Sequence, residues 1–232
     1  ESSINPYTGC SHGCSYCYAR PSHAYMGLSP GLDFESRIFY KPDAARLLEQ
    51  ELSAKKYVWK RIHIGGNTDP YQPDERDLKI TRGVLEVATR FNQPVSVITK
   101  STLITRDLDI LGPMAREGLA TAFISITTLD RGLARAMEPR ASTPQRRLDA
   151  IKVLADAGVP VGVGFAPVIP GGITARFAPD RAGSGCRHGV RCDRFRPRRE
   201  RRPPPGHPQA TGPQGRQGRP ELNRKRRRSC DL

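Results

Sequence analysis

Three cysteines near the amino terminus have the spacing in this chain that best fits redox chemistry. Cys10, Cys14 and Cys17 follow the pattern C-x3-C-x2-C, which places three thiols on one short loop. Three thiolates on one loop can ligate three irons of a cubane [4Fe-4S] cluster, and the fourth iron then has no protein ligand. Because an open iron can bind and reduce a small molecule, the spacing predicts chemistry and not only a structural metal.

Two other interpretations of these cysteines stay open. A disulfide framework is disfavoured because the loop holds an odd number of thiols and no signal peptide opens the sequence. A structural zinc site would need His12 or His23 as its fourth ligand, but closed zinc sites usually bring their ligands as two separated pairs. Free thiols are typical of a reducing compartment, so we expect a cytoplasmic protein. No apolar run approaches the roughly 20 residues of a membrane span, so we expect no membrane partner.

The cysteine pattern and its surroundings, INPYTGCSHGCSYCYAR, resemble the radical S-adenosylmethionine (SAM) superfamily, and within it the spore photoproduct lyase-like branch. The resemblance implies an enzyme whose [4Fe-4S] cluster is bound by Cys10, Cys14 and Cys17. Such an enzyme cleaves SAM reductively to a 5′-deoxyadenosyl radical, which here acts on an unidentified substrate. The resemblance also implies a flavodoxin- or ferredoxin-type electron donor, and we expect a monomer.

The body of the chain alternates predicted strands and helices. Four short segments rich in β-branched residues read as strands, with SSIN before the cysteines as an extra one: 61–66, 94–100, 121–127 and 161–168. Apolar residues at helical spacing predict four helices between them, the second capped by Asp77. The fourth is the clearest, with Thr143 as N-cap, Pro144 at its first position and Gly158 at its end.

Repeated strand and helix units predict an α/β fold with a parallel sheet, either open or curled into a barrel. The resemblance favours a partial (β/α)6 barrel, in which the cysteine loop follows the first strand. Because about five strands can be counted, we expect the barrel to be incomplete at its carboxyl terminus. The sequence begins at Glu1 and not at Met, so we also expect it to begin inside a longer protein.

Glycines and polar residues stand where the predicted strands end, the edge at which parallel α/β folds place their active sites. Their roles in SAM binding are implied by the resemblance. The candidate cofactor-binding residues are Tyr16, Gly65, Gly66, Asn67, Thr68, Lys100, Ser125 and Arg140. For each of them an ordinary structural role stays open.

The resemblance assigns each of these residues a part of SAM. The run from Gly65 to Thr68 stands where the family has a Gly-Gly-Glu-like motif that contacts the methionine amino group. Lys100 or Arg140 would pair with the carboxylate, Ser125 and Thr127 would bind the ribose hydroxyls, and Tyr16 would lie near the adenine. No acidic residue occupies the third or fourth position of the motif, so backbone carbonyls would make more of that contact.

The carboxyl-terminal part has a different composition. Residues 1–172 carry 21 Lys+Arg and 18 Asp+Glu, whereas residues 173–232 carry 17 and 5. We therefore divide the chain into a radical SAM core, 1–172, and a disordered Arg/Pro/Gly-rich tail, 173–232. A shifted reading frame near residue 172 is the favoured hypothesis, because the change is abrupt and interrupts the strand and helix alternation. It would leave Cys186, His188 and Cys192 without a role.

Two alternative functions involve nucleic acid. The tail, densest in RKRRR at 224–228, would suit a basic arm that binds nucleic acid through its phosphates. Repair of a DNA photoproduct is the other alternative, because spore photoproduct lyase repairs a thymine dimer and uses a cysteine as hydrogen donor near the second strand. The present sequence has no cysteine between Cys17 and Cys186, which disfavours the same route. An unidentified substrate is therefore preferred.

Overall fold

A computed structural model describes residues 2–167 of the chain. Its strands are β1 (Ser2–Ile4), β2 (Tyr7–Thr8), β3 (Phe39–Tyr40), β4 (Ile62–Ile64), β5 (Val95–Thr99), β6 (Ala120–Ser125) and β7 (Val161–Gly164). Its α-helices are α1 (Leu32–Ser36), α2 (Ala44–Leu52), α3 (Glu75–Leu78), α4 (Ile80–Arg90), α5 (Leu108–Arg116), α6 (Arg131–Met137) and α7 (Pro144–Asp156). Two 3-10 helices span Arg20–Met26 and Thr102–Asp107.

Five of the strands form a parallel sheet in the order β1-β4-β5-β6-β7. The spatial order repeats the chain order, so every crossover adds its strand on the same side of the previous one. Because such crossovers are right-handed, their helices cover one face of the sheet and leave the other face uncovered. This is the winding of a barrel and not of a doubly wound sheet. The predicted α/β fold and partial barrel are confirmed, as are all five predicted strands of the parallel sheet.

The burial of β6 shows the two faces of the sheet. Ala120, Ala122 and Ile124 are fully buried toward the helices, whereas Phe123, which points to the other face, is 40% exposed. The main core lies between the sheet and helices α2, α4, α5 and α7, where aliphatic residues at helical spacing face the strands. The remaining two strands, β2 and β3, form a small antiparallel pair beside the cysteine loop.

The predicted helices are present, with one wrong boundary. Thr143 caps α7 by accepting a hydrogen bond from the Arg146 N–H, and Pro144 is its first residue. Asp77 does not cap α4. It lies in the short helix α3, and Lys79, which has a left-handed backbone (φ +51°), separates the two helices. A turn of this kind leaves little signal in the sequence, because a left-handed lysine is uncommon.

Several sequence-based predictions lie outside the described residues. These are the end of the last predicted strand beyond residue 167, the domain boundary at 172, the tail and its cysteines, and any sixth strand. Within residues 2–167, none of the helices combines the length and the apolar character that a bilayer crossing requires.

Candidate active site

The cysteine loop follows β2 and lies beside the carboxyl ends of the sheet strands. Cys10 and Cys14 are buried, Cys17 is half-buried, and all three are free thiols. The Cys10 N–H donates to the Phe34 carbonyl (3.0 Å), and the Arg20 guanidinium donates to the Cys14 carbonyl (2.9 Å and 3.0 Å). The backbone of the loop is therefore held at its start and at Cys14, which restricts where the first two thiols lie.

The loop also needs glycine at position 13. Gly13 has a left-handed backbone (φ +68°), and a Cβ there would lie 2.7 Å from Glu35 Oε2. Glu35 accepts hydrogen bonds from the guanidinium groups of Arg20 and Arg140. Together these contacts pack the backbone tightly on the side of the loop occupied by Glu35.

Three free thiols on one loop are a ligand set of the kind that a [4Fe-4S] cluster uses. Within residues 2–167, no three His, Cys, Asp or Glu side chains converge on one point where an ion could bind. A cube does not require such convergence, because each thiolate binds a different iron. Burial raises the pKa of Cys14 to about 12 despite the opposing charge of Lys100, and burial also raises the pKa of Cys17. Buried thiolates at these positions therefore require a positive partner, which iron supplies.

The loop after β4 contains the two predicted glycines, Gly65 and Gly66, and they have different roles. Gly65 has φ +90°, and a Cβ there would lie 2.5 Å from Pro70 Cδ and 2.7 Å from the Ile98 carbonyl oxygen. At Gly66 no heavy atom of residues 2–167 lies within 4 Å of such a Cβ, and the Gly66 carbonyl accepts a hydrogen bond from the Tyr18 hydroxyl. Gly65 is thus required by the fold, whereas Gly66 leaves space for a ligand.

The next two residues, Asn67 and Thr68, also differ: one is exposed and the other is buried. Asn67 is exposed, and its backbone N–H donates to Asn5 Oδ1 (2.8 Å). Thr68 is buried, and its hydroxyl donates to the Tyr7 carbonyl (2.7 Å). The Thr68 side chain is therefore committed to holding the loop against β2, and Asn67 is the one of the pair whose side chain stands open.

Asp69 joins the cysteine loop to the ends of β4 and β5. Its carboxylate accepts hydrogen bonds from the Thr99 hydroxyl (2.6 Å) and the Lys100 N–H (2.8 Å), and it lies 3.3 Å from His12 Nδ1. The contact with His12 has ion-pair distance without hydrogen-bond alignment. Burial alone would raise the pKa of Asp69. The charge of His12 and the hydrogen bonds donated to the carboxylate outweigh burial, so the pKa lies below its usual range. A buried, ionised Asp69 can therefore hold all three segments together.

Lys100 lies directly after β5 and faces the cysteine loop. Its Nζ is 5.7 Å from the centroid of the Tyr16 ring, and its charge acts to lower the pKa of both Cys14 and Cys17. It forms no ion pair with any carboxylate of residues 2–167. The ammonium group is thus a partly buried cation beside the thiols, and a carboxylate ligand would complete its pairing.

Tyr16, Ser125 and Arg140 lie around the same edge. The Tyr16 hydroxyl donates to Glu138, and it lies 3.0 Å from the Thr127 hydroxyl. Ser125 ends β6 with a buried side chain. Arg140 donates to the Ser11 carbonyl and to Glu35, so its guanidinium binds the cysteine loop.

The structure therefore brings every predicted site residue to one edge of the sheet. Their roles toward SAM stay predictions. Two other polar residues on or near β4 have partners elsewhere: Tyr71 is fully buried and donates to Asp107 (3.0 Å), and His63 contacts the Ser96 hydroxyl (2.5 Å).

Sequence reasoning missed Glu138 and Arg147, a fully buried ion pair at the carboxyl end of β6. Arg147 lies in α7, three residues after Pro144 and four before Ile151. This spacing puts it on the same buried face of the helix as these residues. A charge within an apolar stripe was therefore the signal available in the sequence. Glu138, in the loop after α6, left no comparable pattern.

Comparisons with known proteins agree with this geometry. A family model described as the radical SAM superfamily matches residues 4–174. An uncharacterized protein of Mycobacterium tuberculosis H37Rv is 36% identical over 167 residues, which are 72% of this chain and 49% of that protein. An uncharacterized protein of Methanocaldococcus jannaschii is 28% identical over 167 residues, covering 72% of this chain and 60% of that protein. The chain thus spans about half the length of the curated relatives it matches.

Solved structures of spore photoproduct lyase share the fold. One mutant superimposes with a TM-score of 0.53 at 20% identity, covering 73% of this chain and 46% of the lyase. A second mutant, with bound AdoMet and dinucleoside spore photoproduct, gives 0.52 at 21% identity, covering 72% and 45%. At this identity the likeness shows the fold alone. The family model covers most of the chain, including the three cysteines and both edge loops, and the chain therefore belongs to the radical SAM superfamily.

Proposed function

We propose that this protein is a radical SAM enzyme, in which Cys10, Cys14 and Cys17 hold a [4Fe-4S] cluster and SAM is cleaved reductively. The observation that carries the proposal is the placement, at the carboxyl edge of a barrel-type parallel sheet, of three free thiols and of Lys100, which forms no ion pair within residues 2–167. When bound, the cluster and SAM supply a one-electron reduction that releases a 5′-deoxyadenosyl radical, which acts on an unidentified substrate.

Lys100 is the better candidate for the SAM carboxylate. Arg140 already donates to Glu35 and to the Ser11 carbonyl, so a ligand would have to compete with these contacts. Among residues 2–167 the Lys100 ammonium forms no ion pair and lies over the Tyr16 ring, so a charge-assisted contact with a carboxylate would contribute roughly 1.5–3 kcal/mol. We therefore assign carboxylate binding to Lys100 and assign Arg140 to the support of the cysteine loop.

The remaining contacts with SAM follow from which groups stand open. Gly66 allows a ligand to approach the backbone closely, and the Asn67 side chain is exposed beside it. Two further groups are less open: we assign the ribose to Ser125, whose side chain at the end of β6 is buried, and the adenine to the half-buried Tyr16 ring. These residues bind and orient the ligand, while the surrounding buried side chains limit the access of water.

The wider setting is also proposed. We expect a flavodoxin- or ferredoxin-type electron donor, a monomeric state and a cytoplasmic location. The substrate class stays open, since the lyase structures establish the fold and not the substrate.

Anaerobic reconstitution with iron and sulfide tests the proposal. The protein should turn brown, and addition of dithionite and SAM should release 5′-deoxyadenosine, measured by liquid chromatography. Cys14→Ala should abolish both results, whereas the matched control Cys186→Ala, which changes a cysteine outside the loop, should leave them intact. A colourless protein that takes up zinc instead would overturn the proposal.

A further inference from the structure

A short segment after α6 contacts the cysteine loop along most of its length. We call residues 137–140 the clamp segment. The Ser15 N–H donates to the Met137 carbonyl (2.9 Å), and the Arg140 N–H donates to the His12 carbonyl (3.2 Å). Arg140 adds a side-chain bond to the Ser11 carbonyl. More than 120 residues of chain separate the loop from this segment, so the contacts are a tertiary feature and not a local turn.

Glu138 makes the deepest contact of the clamp segment. One carboxylate oxygen accepts hydrogen bonds from the Tyr16 hydroxyl and from the Thr127 hydroxyl (2.7 Å). The other oxygen accepts from the Arg147 guanidinium. Tyr16 lies between Cys14 and Cys17, so Glu138 joins the cysteine loop directly to the end of β6.

Arg147 fixes Glu138 from behind. Its Nε–H donates to the Ser142 carbonyl (2.7 Å), and its Nη1 donates to the Ser125 carbonyl (2.9 Å). The side chains of Arg147 and Glu138 are each only 1% exposed. Removing two charges from water is costly, and an apolar pair of similar volume is often as stable. Stability alone therefore accounts poorly for this pair, whereas its position against Tyr16 gives it a use.

We propose that Glu138 and Arg147 are positioning residues that hold Tyr16 against the end of β6 and thereby order the Cys14–Cys17 part of the loop for cluster binding. The proposal rests on the proposed function. Lys100 Nζ lies 5.7 Å from the centroid of the same ring, so the anchored ring also helps fix the distance between the loop and this cation. Neither residue contacts a thiol in any hydrogen bond of the described chain.

The order of the loop can be measured in the cluster-free full-length protein. The test compares the rates at which iodoacetamide labels Cys10, Cys14 and Cys17, resolved by mass spectrometry at one fixed pH. Glu138→Gln removes the carboxylate charge, and Tyr16→Phe removes only the hydroxyl. Asp107→Asn is the matched control, because Asp107 is also fully buried and accepts from two arginines and a tyrosine, none of them in the cysteine loop.

We expect Tyr16→Phe, which changes no charge, to label Cys14 and Cys17 roughly tenfold faster than the wild type, because a lost charge-assisted bond favours local opening. Glu138→Gln should give the same acceleration at Cys17, the position at which it is compared, because the Glu138 charge also acts directly on Cys14. Asp107→Asn should lose global stability while keeping the wild-type labelling rate at these two cysteines. Unchanged rates in Tyr16→Phe, or an equal acceleration in Asp107→Asn, would overturn the proposal. If Glu138→Gln does not fold, Tyr16→Phe alone decides.

A second measurement concerns the reconstituted protein. In Tyr16→Phe the electron paramagnetic resonance (EPR) spectrum of the reduced cluster should be altered relative to wild type, and an identical spectrum would count against the proposal. The two failures can be told apart. Labelling needs neither iron nor SAM, so a loop that opens as expected in a protein that never forms a cluster would refute the proposed function and not the anchoring of Tyr16.

Discussion

Two adjacent glycines offer the sharpest test of how the site is built. Gly65 has a left-handed backbone (φ +90°), and a Cβ there would meet Pro70 Cδ at 2.5 Å and the Ile98 carbonyl oxygen at 2.7 Å. Gly66 has no such restriction, because no atom of the described part of the chain lies within 4 Å of the same position. Gly65→Ala and Gly66→Ala are therefore the same chemical change in two different environments.

The expected loss of stability follows from these contacts. A left-handed alanine costs about 1–2 kcal/mol, and overpacking against a proline ring and a backbone carbonyl adds about 1–3 kcal/mol. Gly65→Ala should thus lower the free energy of unfolding by about 2–5 kcal/mol. Gly66→Ala should change it by less than about 1 kcal/mol in either direction, since only the freedom of the unfolded chain is altered.

Urea denaturation followed by circular dichroism measures both free energies. Equilibrium dialysis of the reconstituted protein with SAM then separates the roles, because a methyl group at position 66 fills the space assigned to the ligand. We expect Gly66→Ala to weaken SAM binding about tenfold, close to 1.4 kcal/mol. Equal stabilities of the two variants would refute the account of Gly65, and unchanged SAM binding in Gly66→Ala would refute the account of Gly66.

Two further predictions concern charged groups. Lys100→Met should raise the Kd for SAM, measured by equilibrium dialysis, by about 10- to 100-fold with little effect on the free energy of unfolding. The control Lys152→Met changes an exposed lysine and should leave the Kd unchanged. Equal SAM affinities of Lys100→Met and the wild type would contradict the assignment. Burial alone would raise the pKa of Glu138. The charge of Arg147 outweighs burial, so the pKa lies below its usual range. This pair therefore stabilises the fold above the ordinary glutamate pKa, about 4.3, and the contribution is lost as the pH falls below it. The free energy of unfolding from urea titrations should fall more steeply with acid in the wild type than in Glu138→Gln, and parallel pH profiles would contradict this.

Much of the scaffold could be predicted because its signals are local. The β-branched run that includes Val95 and the apolar spacing of α7 depend on neighbouring residues, and so does the Thr143 cap. Strand order could not be obtained from composition, because an open sheet and a barrel use the same strand and helix units. The structure resolves the choice by adding each strand on the same side of the last.

The site could be predicted in part, for the same reason. Three cysteines on one loop share a sequence neighbourhood, so their spacing was visible. The clamp segment lies more than 120 residues from Tyr16, and no short pattern records that contact. The contacts of Asp69 with Thr99 and His12 exist only in the folded sheet, so no short sequence pattern records them. Arg140 was assigned to the ligand from its residue type, whereas its contacts are with the cysteine loop.

The proposed enzyme depends on a cubane cluster bound by Cys10, Cys14 and Cys17, with one iron left for SAM. EPR spectroscopy of the anaerobically reconstituted, dithionite-reduced protein tests this most directly. We expect a reduced [4Fe-4S] signal whose shape changes when SAM is added, and about four irons per chain by iron analysis. Alanine at Cys10, Cys14 or Cys17 should abolish the signal. A protein without this signal, a signal that SAM leaves unchanged, or a cluster that survives any of the three substitutions would contradict the account.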